Sequence, residues 1–283
     1  MLTTVTAGPY TVRGVSVGGV YTSINVPELG VVFDCGVSPR SFGGADLILL
    51  SHGHADHIGA LPALLGIRAL HGKTRPPRVV MPIEIVEDLG TALAALSKLQ
   101  RWPLEIDAIG MAPGDEIELR GDLRVRAIRT FHPVPSLGYI IVRRIAKLRG
   151  ELHGLPGPEI AARRRAGETV TDTEERLELG YATDTLVSAL DHAPELLRCR
   201  VLIVECTFLD DRKSLEAARA GCHIHLDEMI ERADRFANEH VVLMHVSQLY
   251  RPDEVAAILD ARVPPALRRK IIPFVPDAPN WPG

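Results

Sequence analysis

The sequence is short of cysteine, of long apolar runs and of surplus positive charge, and each shortage removes a class of protein. Four of its 283 residues are cysteine (Cys35, Cys199, Cys206, Cys222). They form no CxxC pair and no dense framework, so a disulfide scaffold is excluded and a reducing cytoplasm is the expected home. The longest apolar stretches, such as Leu47–Leu50 and Val201–Val204, fall far short of the roughly 20 residues a membrane-spanning helix needs. No membrane partner is expected. The opening Met-Leu-Thr-Thr-Val has no basic region followed by an apolar one, so no secretory leader is expected. Basic residues number 32 against 36 acidic, a net charge of −4. That excludes a surface coated all over with positive charge for nucleic acid, but not a local basic patch.

What is present is a globular composition, 46% hydrophobic and 24% charged. A chain of this length suits one large domain or two packed halves. It can bury roughly 75% of its unfolded surface without help from a disulfide or metal. Tyr10 to Gly36 reads as a β-meander punctuated by Gly18-Gly19 and Pro27-Glu28. Asp46–Ser51 reads as a buried strand, and Ile58 to Leu70 and Glu84 to Gln100 have helical spacing. In the second of these helices Ile85, Leu89, Leu93, Leu96 and Leu99 share one face. Strands are expected again over Asp115 to Arg144, Val201–Glu205 and Val241–His245, with a helix over His225–Asn238. Two comparable halves, about 1–114 and 115–283, predict a single α/β domain over 1–283 with two packed sheets.

One segment differs. Arg143, Arg144, Lys147, Arg149, Arg163, Arg164 and Arg165 face only Glu151 and Glu159 between residues 143 and 165, among many Gly and Pro. Such a run is either a solvated surface excursion or a short basic arm, about 143–178, that binds phosphate.

The strongest signal is Ser51-His52-Gly53-His54-Ala55-Asp56-His57, directly after the strand that ends at Leu50. Three imidazoles and a carboxylate so close together cannot pack as core without leaving buried polar atoms unsatisfied. They are zinc-ligand types, and the loop lets His52 and His54 reach one metal while Asp56 and His57 reach a second. Further ligands must come from later in the chain. His132, Asp184 and His245 each follow an expected strand, where α/β sites assemble.

These residues resemble the metallo-β-lactamase superfamily, whose hallmark is HxHxDH, from Phe33-Asp34-Cys35-Gly36 to Val246-Ser247-Gln248-Leu249-Tyr250. The resemblance implies an αββα sandwich of two mixed sheets, helices outside, with a dinuclear site between the sheets. It implies two Zn2+ per chain: one held by His52, His54 and His132, the other by Asp56, His57 and His245, with Asp184 bridging. Histidine at position 54, where a di-iron branch carries glutamate, favours zinc.

Val204-Glu205-Cys206-Thr207-Phe208 and Phe131-His132-Pro133 resemble motifs of ribonuclease Z, which cuts 3′ trailers from precursor tRNA. So does Cys222-His223-Ile224-His225-Leu226, 22 residues before His245. Gly154–Pro158 and Gly167–Thr171 resemble the base of its tRNA-clamping arm. The chain departs from that family at Val37-Ser38-Pro39-Arg40, in the weakly Gly-rich first loop, at Leu249 and in the shortness of the arm.

The implied reaction is zinc-dependent phosphodiester cleavage by an endoribonuclease. Asp56 holds and deprotonates the nucleophile, and His223, oriented by Glu205, protonates the departing 3′ oxygen. His225 is the rival acid, while His71, His153, His192 and His240 read as surface or packing residues. Arg163, Arg164 and Arg165 would contact the RNA backbone, and the family implies a homodimer. The alternatives are a hydrolase of a smaller ester, lactone or phosphodiester with the same metal site, and a non-catalytic RNA-binding protein.

Overall fold

A computed structural model describes residues 2–276; the expected 1–283 domain includes residues outside that range. Fourteen strands are described, and they fall into two sheets of seven. In the first, β1 (Thr3–Ala7), β2 (Tyr10–Val17), β3 (Tyr21–Val26), β4 (Val31–Phe33), β5 (Leu47–Leu49), β6 (Arg78–Pro82) and β7 (Asp107–Met111) lie side by side in chain order. The second runs β8 (Glu116–Arg120), β9 (Leu123–Arg129), β10 (Leu137–Leu148), β11 (Thr171–Ala182), β12 (Val201–Glu205), β13 (His240–Met244) and β14 (Ile271–Pro273). Each sheet begins with antiparallel hairpins and ends in parallel strands, so both are mixed.

The period-two alternation of the strands dictates the layers. Val31, Phe33, Leu47 and Leu49 point inward, to meet Val125, Tyr139, Ile141, Tyr181, Val201 and Ile203 of the second sheet. The Phe33 and Tyr181 rings stack across this interface with centroids 4.5 Å apart. Val32, Ile48 and Val79 point outward, beneath α2 (Leu61–Leu70) and α3 (Val86–Gln100). Ile140, Leu202, Val204, Val241 and Leu243 pack on the other outer face, against residues that include Val255 and Leu259 of the helix Pro252–Arg262. The result is an αββα sandwich. Among the described residues no helix is long and apolar enough to cross a membrane.

Several local expectations are corrected. The stretch 58–70 divides at Gly59 into α1 (Ala55–Ile58) and α2. In α3 Leu89 and Leu93 are buried, but Leu96 and Leu99 are 38% and 80% exposed because the helix end runs past the sheet that covers its start. The expected helix over 225–238 is cut short: five residues, Leu226–Ile230, are α-helical, followed by one 3-10 turn. Arg232 donates to the Glu228 carbonyl, and the buried Asn238 side chain donates to the carbonyls of Leu196 and Cys199, which draws the chain off the helix axis. The strands β1, β6 and β7 had no separate signature in the sequence. The arm is an extension of the β10–β11 hairpin, paired out to Leu148 and Thr171 and closed by the helix α4 (Gly157–Arg165).

Candidate metal centre

Strand ends place the polar side chains. His52 follows β5, His132 follows β9, Asp184 follows β11 and His245 follows β13, all at one edge of the sandwich between the sheets. His54 is the N-cap residue of α1, so Asp56 and His57 emerge from its first turn beside the ends of the strands. Cys35 donates its backbone N–H to the His57 carbonyl at 2.5 Å, tying β4 to α1. Only glycine fits at position 36, because a Cβ there would collide with the Asp56 carbonyl. Asp184 and His245 adopt left-handed backbone angles, φ 43° and 59°. Such conformations cost roughly 1–3 kcal/mol each and concentrate at functional sites.

The seven residues form overlapping sets whose ligand atoms lie within 4.8 Å of one another: His52, His54 and His132; His52, His57 and Asp184; Asp56, His57 and His245. His54 Nδ1 lies 3.0 Å from His52 Nε2 and 3.2 Å from His132 Nε2. Asp184 sits in the middle, with Oδ1 3.1 Å from His245 Nε2 and 3.5 Å from His57 Nε2, and Oδ2 3.9 Å from His52 Nε2. A fourth set joins Asp184, His223 and His245.

The outer nitrogens decide what the inner ones offer. Asp34, fully buried, accepts from Ser51 N and Oγ, from the Tyr181 hydroxyl at 2.6 Å and from His57 Nδ1 at 2.9 Å. Since the Ser51 hydroxyl is committed to Asp34, its oxygen accepts from His52 Nδ1 at 2.9 Å. Thr207 donates to Glu205 at 2.5 Å, and its oxygen accepts from His245 Nδ1 at 3.1 Å. His52, His57 and His245 are thereby held with Nδ1 protonated and the Nε2 lone pair turned inward. The Nε2 atoms of His57 and His245 are buried and have no hydrogen-bond partner. An unmet polar atom of this kind costs about 1–3 kcal/mol unless something else binds it. That donor set and those orphaned atoms fit a metal.

The electrostatics point the same way. Burial pushes His52 down to about 2 and His132 down to about 4, and it also lowers His245. All three are therefore neutral and competent as ligands. Burial opposes charge on His57 too, but Asp184, Asp34 and Asp56 outweigh it and raise the imidazole to about 9. Burial likewise opposes charge on Asp184, yet His245, His57 and His52 hold it well below the usual carboxylate range. The surplus negative charge calls for a cation.

Beside this cluster, His223 Nδ1 lies 3.3 Å from Glu205 Oε1. Glu205 is fully buried at the end of β12 and also accepts from the backbone of Thr185 at 2.6 Å and of Ile224 at 3.2 Å. Burial works against charge on His223, but Glu205 overcomes it and raises the imidazole to about 9. His225 is turned away: it caps α7 (Leu226–Ile230), accepting from Asp227 N, and its Nε2 meets the Asp210 carbonyl at 3.2 Å.

The basic arm is less basic than its sequence suggests. Arg143 pairs with Glu178 and Asp122, Arg144 with Glu116 and Glu175, Lys147 with Glu174, and Arg149 with Glu151 and Asp172. Four of those carboxylates lie across the hairpin on β11, outside the window 143–165. Arg163 keeps an exposed pair with Glu159 at 3.0 Å. Arg164 and Arg165, exposed on α4, have no ion pair among the described residues.

Sequence reasoning passed over Asp34, Ser51, Tyr181 and Thr207 as supports of the ligands. A lone aspartate closing the apolar run Val31-Val32-Phe33 was the available signal for the first.

Residues 31–246 match the model of the beta-lactamase superfamily domain. A tRNase Z of Arabidopsis thaliana is 35% identical over 90% of this chain and 92% of its own length. A chloroplastic tRNase Z from the same plant is 34% identical over 94% of this chain and 75% of its own. Among solved structures, the short form of human tRNase Z superposes with a TM-score of 0.56 at 18% identity, covering 83% of this chain and 92% of that one. That last likeness concerns the fold alone.

Proposed function

This chain belongs to the beta-lactamase superfamily and, within it, to the tRNase Z family, and on that premise we propose that it removes 3′ trailers from precursor tRNA as a zinc-dependent endoribonuclease. The observation that carries the reading is the convergence of seven ligand-type side chains beside a histidine held by a buried glutamate. We assign one ion to His52, His54 and His132 and a second to Asp56, His57 and His245, with Asp184 shared. The imidazole-rich donor set favours zinc. Two zinc ions held there supply Lewis acidity, acidifying water toward neutral pH and drawing negative charge off the phosphate oxygens.

The protein's own groups do the rest. Asp56, partly open to solvent at the mouth of the cluster, takes the proton of the attacking water. His223 donates a proton to the ribose 3′ oxygen as the P–O bond breaks. Glu205 keeps that imidazole oriented and protonated. The products are a tRNA with a free 3′ hydroxyl and a trailer with a 5′ phosphate. Arg164 and Arg165 lie on an exposed helix at the tip of a long hairpin, where they can meet the RNA backbone.

The reading extends to a homodimer in the cytoplasm. Leu70, Leu99 and Trp102 are 87%, 80% and 57% exposed and surround an apolar cavity between α2 and the end of α3. The helix α3 is acidic in its first turn (Glu87, Asp88) and basic in its last (Lys98). A second copy related by a two-fold axis would set those opposite ends against each other. The four cysteines are free and three are buried, in keeping with a reducing compartment.

Incubating metal-loaded protein with a precursor tRNA and, separately, with bis(p-nitrophenyl) phosphate tests the function. Endonucleolytic release of the trailer is expected. Turnover of the small diester alone would favour a hydrolase of small phosphodiesters instead.

A further inference from the structure

His223 stands between two rings. On its inner side it stacks on His245, with centroids 5.4 Å apart and planes at 29°. On its outer side it meets Phe208 edge to face at 6.1 Å. Phe208 is half-buried, and its backbone is pinned to the strand that carries His223: Phe208 N donates to the Ile224 carbonyl at 3.4 Å, and Leu226 N to the Phe208 carbonyl at 2.8 Å. Over the Phe208 ring, 5.5 Å from its centroid, lies Lys213 Nζ.

Lys213 is half-buried, yet among the described residues no carboxylate forms an ion pair with it. The nearby Asp210 is taken by Arg212, which also binds Glu254 and covers the Tyr250 ring. Lysine is seldom drawn out of water without an anion to meet it. An unpaired ammonium beside an aromatic ring, next to the proton donor, is a combination that the reaction as derived above leaves unused.

We propose that Phe208 and Lys213 form the subsite for the nucleotide whose 3′ oxygen departs, Phe208 stacking its base and Lys213 meeting a backbone phosphate. This rests on the ribonuclease reading. If His223 protonates that oxygen, the ribose bearing it lies against His223, and Phe208 is the next side chain outward. Aromatic stacking accepts any base, because every base has a π face. The base must, however, be free of a partner strand. The subsite therefore selects an unpaired nucleotide rather than a particular sequence.

The test compares an intact precursor tRNA with one made abasic at the nucleotide 5′ to the scissile phosphate. Phe208→Leu, which keeps apolar bulk, should lower kcat/KM on intact RNA by about 5- to 150-fold. The abasic substrate should impose a similar loss on the wild-type enzyme, and on it Phe208→Leu should add at most twofold. Lys213→Met should reduce the slope of log affinity against log salt by about 0.7, and Lys213→Arg should restore it. Equal losses for Phe208→Leu on both substrates would make Phe208 a packing residue, and an unchanged slope would remove Lys213. Normal wild-type cleavage with no effect of Phe208→Leu overturns the subsite alone. A wild-type enzyme inactive on both RNAs overturns the ribonuclease reading and the subsite with it.

Discussion

Asp184 is the residue on which most of the cluster depends. It lies within 3.9 Å of three imidazoles, and no other carboxylate of the cluster is as buried. Asp184→Ala should therefore lose more metal than any single imidazole substitution, such as His54→Ala. Elemental analysis after zinc reconstitution measures this, and retention of two ions per chain would refute a shared carboxylate. The two histidines on either side of Ile224 separate by chemistry. A ribose 3′ oxygen is a strongly basic leaving group, whereas p-nitrophenolate departs without a proton. His223→Ala should lower RNA cleavage by roughly 10²–10⁴-fold, with a far smaller loss on the nitrophenyl diester and metal content intact. His225 fills a helix cap and touches no ligand. His225→Ala should leave cleavage almost unchanged and cost about 0.5–2 kcal/mol of stability in denaturant titrations. A large selective loss of cleavage in His225→Ala would exchange the roles of the two.

At the scale of the element, the β10–β11 hairpin shows how charge counted along a window differs from charge in space. Carboxylates of β11 neutralise Arg143, Arg144, Lys147 and Arg149 across the ladder. What is left for RNA is the helix α4. Replacing Arg163, Arg164 and Arg165 by glutamine should weaken RNA binding and flatten its salt dependence, by about 0.7–0.9 in log–log slope per lost phosphate contact. Arg164 and Arg165 should account for most of the change, because Arg163 already answers Glu159. Fluorescence anisotropy across a salt series reads the slope directly. An unaltered slope would make α4 an ordinary solvated helix tip.

For the whole molecule, the metal centre is a clasp between the two sheets. His52, His54, Asp56 and His57 belong to the first half of the chain, and His132, Asp184 and His245 to strands of the second sheet. Ions bound there favour the folded state by mass action. At free metal 100- to 1,000-fold above Kd the gain is roughly 3–4 kcal/mol. Stripping with a chelator should lower the thermal midpoint by about 5–10 °C, reversibly on adding zinc. Calorimetry that finds no shift would mean that the apo sandwich needs no clasp. The exposed Leu70, Leu99 and Trp102 give a second test at this scale. Light scattering should find a dimer that Leu70→Glu with Trp102→Glu converts to monomers, with zinc content retained. A monomeric wild-type protein would refute the dimer.

Part of this was written locally. Period-two alternation in Val31–Phe33, Leu47–Leu49 and Val201–Glu205 determined which side chains face the inner and outer layers, because a strand admits no other geometry. The contiguous donors of residues 52–57 announced a polar cluster, since so many imidazoles in one loop have no use in a core. Other features depend on partners far away in the chain. Asp34 became the anchor of His57 only when β11 brought Tyr181 to it across 147 positions. The arm lost most of its free charge only when the hairpin register set β11 acids beside β10 arginines. The helix expected over 225–238 was ended by Asn238 reaching carbonyls of Leu196 and Cys199. A side chain's local pattern sets the backbone it prefers and the atoms it can offer. Which partner meets those atoms is settled by register and packing, and only the folded chain supplies them.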